Sequence, residues 1–94
     1  MTRIVITAKV RDIEKWEQNY RVHAPMLREL MGVTKPVQFS TDAETNEICL
    51  SAEPDDLDHY LETAQSPEIA SAMEKNGVIR ETVKLYILDK QLGS

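Results

Sequence analysis

The sequence predicts an α+β domain, a four-stranded antiparallel sheet with its helices on one face. Three observations carry that expectation. Four stretches, Ile4 to Val10, Val33 to Thr41, Glu47 to Glu53 and Val78 to Leu88, alternate apolar and polar side chains or are rich in β-branched residues, the mark of strands. Between the first and second lies a long run with apolar residues at steps of three and four, and a second such run lies between the third and fourth. The chain has 94 residues, no internal repeat and no low-complexity linker, which suits one domain over residues 1–94.

The first strand alternates Ile4, Ile6, Ala8 and Val10 against Val5, Thr7 and Lys9. The helix that follows, Asp12 to Gly32, carries Ile13, Trp16, Tyr20, Ala24, Leu27 and Leu30 or Met31 on one stripe. Asp12 suits its N-cap, Glu14 its positive end and Gly32 its C′ position. Glu17 and Arg21 stand four apart on the outward side. Pro25 falls inside this pattern, where it removes a backbone donor, so a kink or interruption between Arg21 and Pro25 is expected. In the second strand Val37 and Phe39 share a face, and Pro36 places the strand at an edge or delays its start. Asp42 to Asn46 reads as a hairpin loop. The third strand turns Ile48, Leu50 and Ala52 one way and Cys49 and Ser51 the other.

A second helix starts at Pro54-Asp55-Asp56 and carries Leu57, Tyr60, Leu61 and Ala64. Ser66-Pro67-Glu68 is a restart signal (N-cap, first-turn proline, first-turn acid), after which Ile69, Ala70 and Met73 continue the stripe to Gly77. The last strand puts Val83, Leu85 and Ile87 on one face and Lys84, Tyr86 and Leu88 on the other. The order β-α-β-β-α-β is the ferredoxin-like, or split βαβ, pattern. With the helices on one face, the other still holds Val5, Cys49, Tyr86 and Leu88, with Thr7 and Ser51, and is too apolar for a solvent face. A second copy of the chain is the expected cover, making the protein a homodimer.

Composition narrows the partners. A net charge of −5 argues against nucleic acid or an anionic membrane surface. The first and third strands lack the aromatics with which an RNA-recognition module of this topology stacks bases. One cysteine, Cys49, rules out an intrachain disulfide and the cysteine sets of metallochaperones and iron–sulfur ferredoxins, and fits a reducing cytoplasm. His23, Cys49 and His59 have no metal-ligand spacing, so neither metal nor cofactor is expected. The N-terminal run MTRIVITAKV is too short and too interrupted for a signal h-region or a membrane span.

Several residues together, Trp16, His23-Ala24-Pro25, Gly32-Val33, Asn46-Glu47-Ile48, Asp56-Leu57, Ser66-Pro67-Glu68, Ala72-Met73 and Gly77-Val78, resemble small bacterial proteins of the dimeric α+β barrel superfamily. These are the cyclase-like and antibiotic-biosynthesis-monooxygenase-like proteins, and the resemblance covers Ile4 to Leu88. It implies a homodimer with the two sheets face to face, and an apolar pocket between helices and sheet in each subunit. The chemistry it implies is that of cofactor-independent monooxygenases or polyketide cyclases. Haem-degrading members carry an Asn on the first strand; this chain has none there, and haem degradation is not carried over.

The candidate site lies on the first helix. Trp16 and Tyr20 read either as core anchors or as pocket walls for an aromatic small molecule. His23, seven residues after Trp16, reads as a structural histidine or as a general base for carbanion or enolate formation. Tyr60 and Met73 point inward and would close the pocket, whereas His59 and the acidic set Asp55, Asp56, Asp58 and Glu62 belong to a solvated helix start. Two functions stay open: a cofactor-independent monooxygenase or cyclase, and a non-catalytic small-ligand-binding or stress-related dimer.

Overall fold

The structure is a computed structural model that describes residues 2–93. Its elements run β1 (Arg3–Val10), α1 (Ile13–Met31), β2 (Gln38–Asp42), β3 (Glu47–Ala52), α2 (Leu57–Ala64), α3 (Pro67–Lys75) and β4 (Val78–Leu88). The strands form one antiparallel sheet in the order β2-β3-β1-β4, the ferredoxin-like arrangement. The second helical stretch is two helices because Ser66 accepts a hydrogen bond from the Ile69 N–H and Pro67 occupies the first turn, which restarts the chain.

Local chemistry sets the ends of α1. The Asp12 carboxylate accepts from the Lys15 N–H, and Gly32, at φ 71°, closes the helix in the left-handed conformation. The helix is continuous through Pro25, so the expected interruption does not occur. Pro25 and Arg21 are both exposed, which puts the missing helical hydrogen bond on the solvent side of α1. Packing of Trp16, Leu27 and Met31 on either side keeps the two halves together.

The second strand is shorter than expected and begins at Gln38. Residues 33–37 are a pinned loop, because the Thr34 and Lys35 carbonyls accept from Arg28 Nη2 at 2.9 and 3.0 Å instead of from a neighbouring strand. Lys35 Nζ also meets Glu53 Oε2 at 2.9 Å, and Arg3 Nη2 meets Glu53 Oε1 at 3.0 Å. This ties the loop, β1 and the end of β3 at one carboxylate. Lys35 first, and Arg3 after it, hold the Glu53 carboxyl below its ordinary value of 4.5. A depressed acid stabilises the fold above its unfolded pKa and loses that contribution as pH falls through the folded one. Glu53→Gln should therefore melt lower at neutral pH and show a shallower loss of Tm below about pH 4.5, as read by circular dichroism.

The sheet face toward the helices buries Ile4, Ala8, Val10, Ile48 and Ala52. β4 changes register against β1 between Thr7 and Lys9, where the Thr82 hydroxyl accepts from the Lys9 N–H at 2.9 Å. That irregularity lets Val78 and Val83, five residues apart, both line the helix side. The opposite face carries Val5, Thr7, Cys49 and Ser51 in mutual register with Tyr86, and Tyr86 and Leu88 are each half exposed. Among the described residues no helix is long and apolar enough to cross a membrane.

Candidate functional site

Trp16 is almost fully buried in the first turn of α1. Tyr20, one turn on, stacks on it with ring centroids 4.9 Å apart and planes 8° from parallel. Phe39 of β2 meets both edge-on, at 5.8 and 5.4 Å, and the Arg21 guanidinium lies over the far side of Phe39 at 5.3 Å. This aromatic wall is rigid, because each ring is held by two others.

Beside it, between the sheet and the helices, lies a cavity of about 470 Å³, within the range of about 300–1,000 Å³ usual for small-molecule sites. Trp16, Tyr20, Tyr60 and Met73 all line it, so the structure brings these four together. The polar groups on its lining are few: the Trp16 indole, the Tyr20 and Tyr60 phenols, Arg28, Gln65 and Asn76. No carboxylate and no imidazole is among its described lining residues. Burial raises the Tyr20 phenol, a shift the Arg28 charge partly offsets. Burial pushes Tyr60 up to about 12, with Tyr20 adding to the rise. Both phenols therefore stay protonated at neutral pH and can donate hydrogen bonds.

His23 is placed elsewhere. Its side chain is exposed, with Nδ1 2.8 Å from the Asn19 carbonyl, to which it donates. It lines a separate groove of about 580 Å³, where His23, Met26 and Leu27 of α1 face Pro67, Ala72 and Asn76 at α3. The expectation that His23 shares the inward face of Trp16 and Tyr20 is corrected by helix geometry. At about 100° per residue, Trp16, Leu27, Tyr20 and Met31 centre roughly 30° beyond Trp16, and His23 falls about 50° from that centre, on its flank. Leu27, Ala72 and Asn76 border both the groove and the cavity, so they form the partition between His23 and the aromatic wall. His59 is exposed, and its Nε2 is 3.3 Å from the Leu30 carbonyl. Among the described residues no group of His, Cys, Asp and Glu is arranged to hold a metal ion.

Arg28, Gln65 and Asn76 are polar lining residues that sequence reasoning misses, and Arg28 is the charged one. A basic residue in the last turn of a helix reads simply as a partner for the dipole. Only its length, which carries the guanidinium back from the helix flank, marks it as able to reach the cavity.

No protein-family model matches the chain, and no curated protein matches it by sequence. Solved structures do match in fold. A Bordetella bronchiseptica protein named for the antibiotic biosynthesis monooxygenases superposes with a TM-score of 0.72 at 13% identity, covering 97% of each chain. SnoaB, a cofactor-independent oxygenase from Streptomyces nogalater, does so at 0.67 and 12% identity, covering 98% of this chain and 94% of its own. Rv0793 from Mycobacterium tuberculosis gives 0.62 at 13% identity, over 100% of this chain and 99% of its own. The chain has the fold of the antibiotic biosynthesis monooxygenase-like proteins over nearly its whole length.

Proposed function

We propose that the protein binds a planar aromatic small molecule in the cavity between sheet and helices, as a homodimer joined through the open sheet face. The observation that carries this reading is the cavity itself: an apolar chamber of about 470 Å³ walled by Trp16, Tyr20, Tyr60 and Met73, with a handful of hydrogen-bond donors. The fold likeness to SnoaB supports a cofactor-independent oxygenation or cyclisation of that molecule. With no imidazole or carboxylate on the described lining, the chain's part in such chemistry is to bind the molecule, exclude water and hold its oxygens, and an acidic substrate enters as the enolate, its proton already given to bulk water. His23 stands outside the cavity and takes no part in it. The runner-up is a non-catalytic carrier that uses the same cavity.

Trp16 is the only tryptophan, so its emission reports the wall directly. Titration with planar phenols and anthrones should change that emission saturably, and Trp16→Phe should stay folded and lose the signal. A ligand at a hundredfold excess over Kd should raise folding stability by about 2.7 kcal/mol, visible as a higher Tm. His23→Gln should leave the titration unchanged. Oxygen uptake with an oxidised product separates the enzyme from the carrier, which binds and returns its ligand intact. An emission silent to a diverse planar library would overturn the ligand reading and leave Trp16 a core anchor.

A further inference from the structure

Arg28 has more to do than hold the 33–37 loop. Its Nη2 donates to the Thr34 and Lys35 carbonyls, which fixes the plane of the guanidinium. Its Nε is buried and has no hydrogen-bond partner, the one such side-chain atom among the described residues. With no accessible surface that N–H is closed to a ligand, so what Arg28 presents to the cavity is the charge of its guanidinium. Arg28 is also the only charged residue on the described lining of the cavity, and its charge reaches the Tyr20 phenol. Tyr20 in turn acts on Tyr60, and all three residues line the same cavity. Among the described residues neither phenol has a hydrogen bond to another side chain or to the backbone. The polar corner thus offers protonated donors and a fixed positive charge, with no carboxylate to neutralise it.

We propose that this corner selects an aromatic ligand that carries one anionic oxygen, a carboxylate, phenolate or enolate, received by the Tyr20 and Tyr60 hydroxyls in the field of the Arg28 guanidinium. The proposal rests on the reading of the cavity as a small-molecule site and adds the charge of the ligand. The remaining walls are apolar and suit the ring system, while the anion takes the phenol hydrogen bonds and offsets the guanidinium charge. In a protein of net charge −5, the preference is set locally, by one desolvated guanidinium, against the overall field.

Isothermal titration calorimetry with two probes of one shape tests this, naphthalene-2-carboxylate and the neutral naphthalene-2-carboxamide. Wild type should prefer the carboxylate by about tenfold to a hundredfold, the range for a hydrogen bond to a charged group. Arg28→Met should lose the preference, and saturable binding of the amide shows that its cavity is intact. Arg28→Lys, which keeps the charge, should retain most of it. Should Arg28→Met fail to fold, the wild-type ratio and the Arg28→Lys ratio decide. Equal affinity of wild type for both probes would overturn the anion corner and leave the cavity reading standing, as would a preference that survives in Arg28→Met. Binding of neither probe would overturn the cavity reading beneath it.

Discussion

Tyr86→Glu is expected to turn the proposed homodimer into a folded monomer. Tyr86 sits on the sheet face away from the helices, half exposed in the single chain and in register with Val5, whose other neighbour is Ser51. Face-to-face packing of two sheets would bury it twice, once from each subunit. An uncompensated buried charge costs about 3–5 kcal/mol per copy. Two copies then weaken association by a factor on the order of 10⁴ or more, at 1.4 kcal/mol per tenfold. The single chain loses little, about 1 kcal/mol at most from strand propensity, because the position is open to water there. Light scattering should give twice the chain mass for wild type and the chain mass for the variant, with circular dichroism unchanged. A wild-type monomer at micromolar concentration would refute the dimer, and the half-exposed Tyr86 and Leu88 would need another explanation.

The elements most legible in the sequence are those whose chemistry is local. Asp12 and Gly32 bound α1 because a carboxylate three residues before Lys15 and a glycine in the left-handed conformation satisfy helix ends without help from elsewhere. Ser66-Pro67-Glu68 divides α2 from α3 for the same reason. The strand alternation of β1 and β3 survives because each has one buried face, which fixes which residues point where.

The features that escaped depend on distant partners. Val33 to Val37 has strand-like composition, yet its carbonyls go to Arg28 and its lysine to Glu53, neither of which is adjacent in sequence. β4 has an irregularity near Thr82 that a simple period of two passes over, since Val78 and Val83 would otherwise face opposite ways. His23 looked inward because seven residues nearly complete two helical turns, but a position on the stripe's flank is buried only when a neighbour covers it. Here the groove between α1 and α3 leaves it open. Arg28 lies farther round on the other flank and still reaches the cavity, because its side chain is long and the 33–37 loop holds its head. Side-chain length and the partner's position, not spacing, separated these two residues.

Ala52→Leu should stabilise the protein and abolish ligand binding, a pair of effects with opposite signs. Ala52 is buried on β3 beside Ile4 in the sheet and lines the cavity with Tyr60. Three added carbons projecting into open volume bury about 2 kcal/mol of apolar surface, at roughly 0.8 kcal/mol per methylene. The same carbons occupy space that an aromatic ring system needs, so the Trp16 titration should lose its saturable change. A tightly packed core gives the reverse sign, because adding carbons where no space exists costs about 1–3 kcal/mol. Chemical denaturation of wild type and variant, with the m value checked for equality, measures the first effect, and fluorescence titration the second. A destabilised Ala52→Leu would mean that the volume between sheet and helices closes up in solution. A stabilised variant that still binds would place the ligand away from Ala52, toward the α1 end of the cavity, where Trp16 and Met73 pack around Ala8 and Val78.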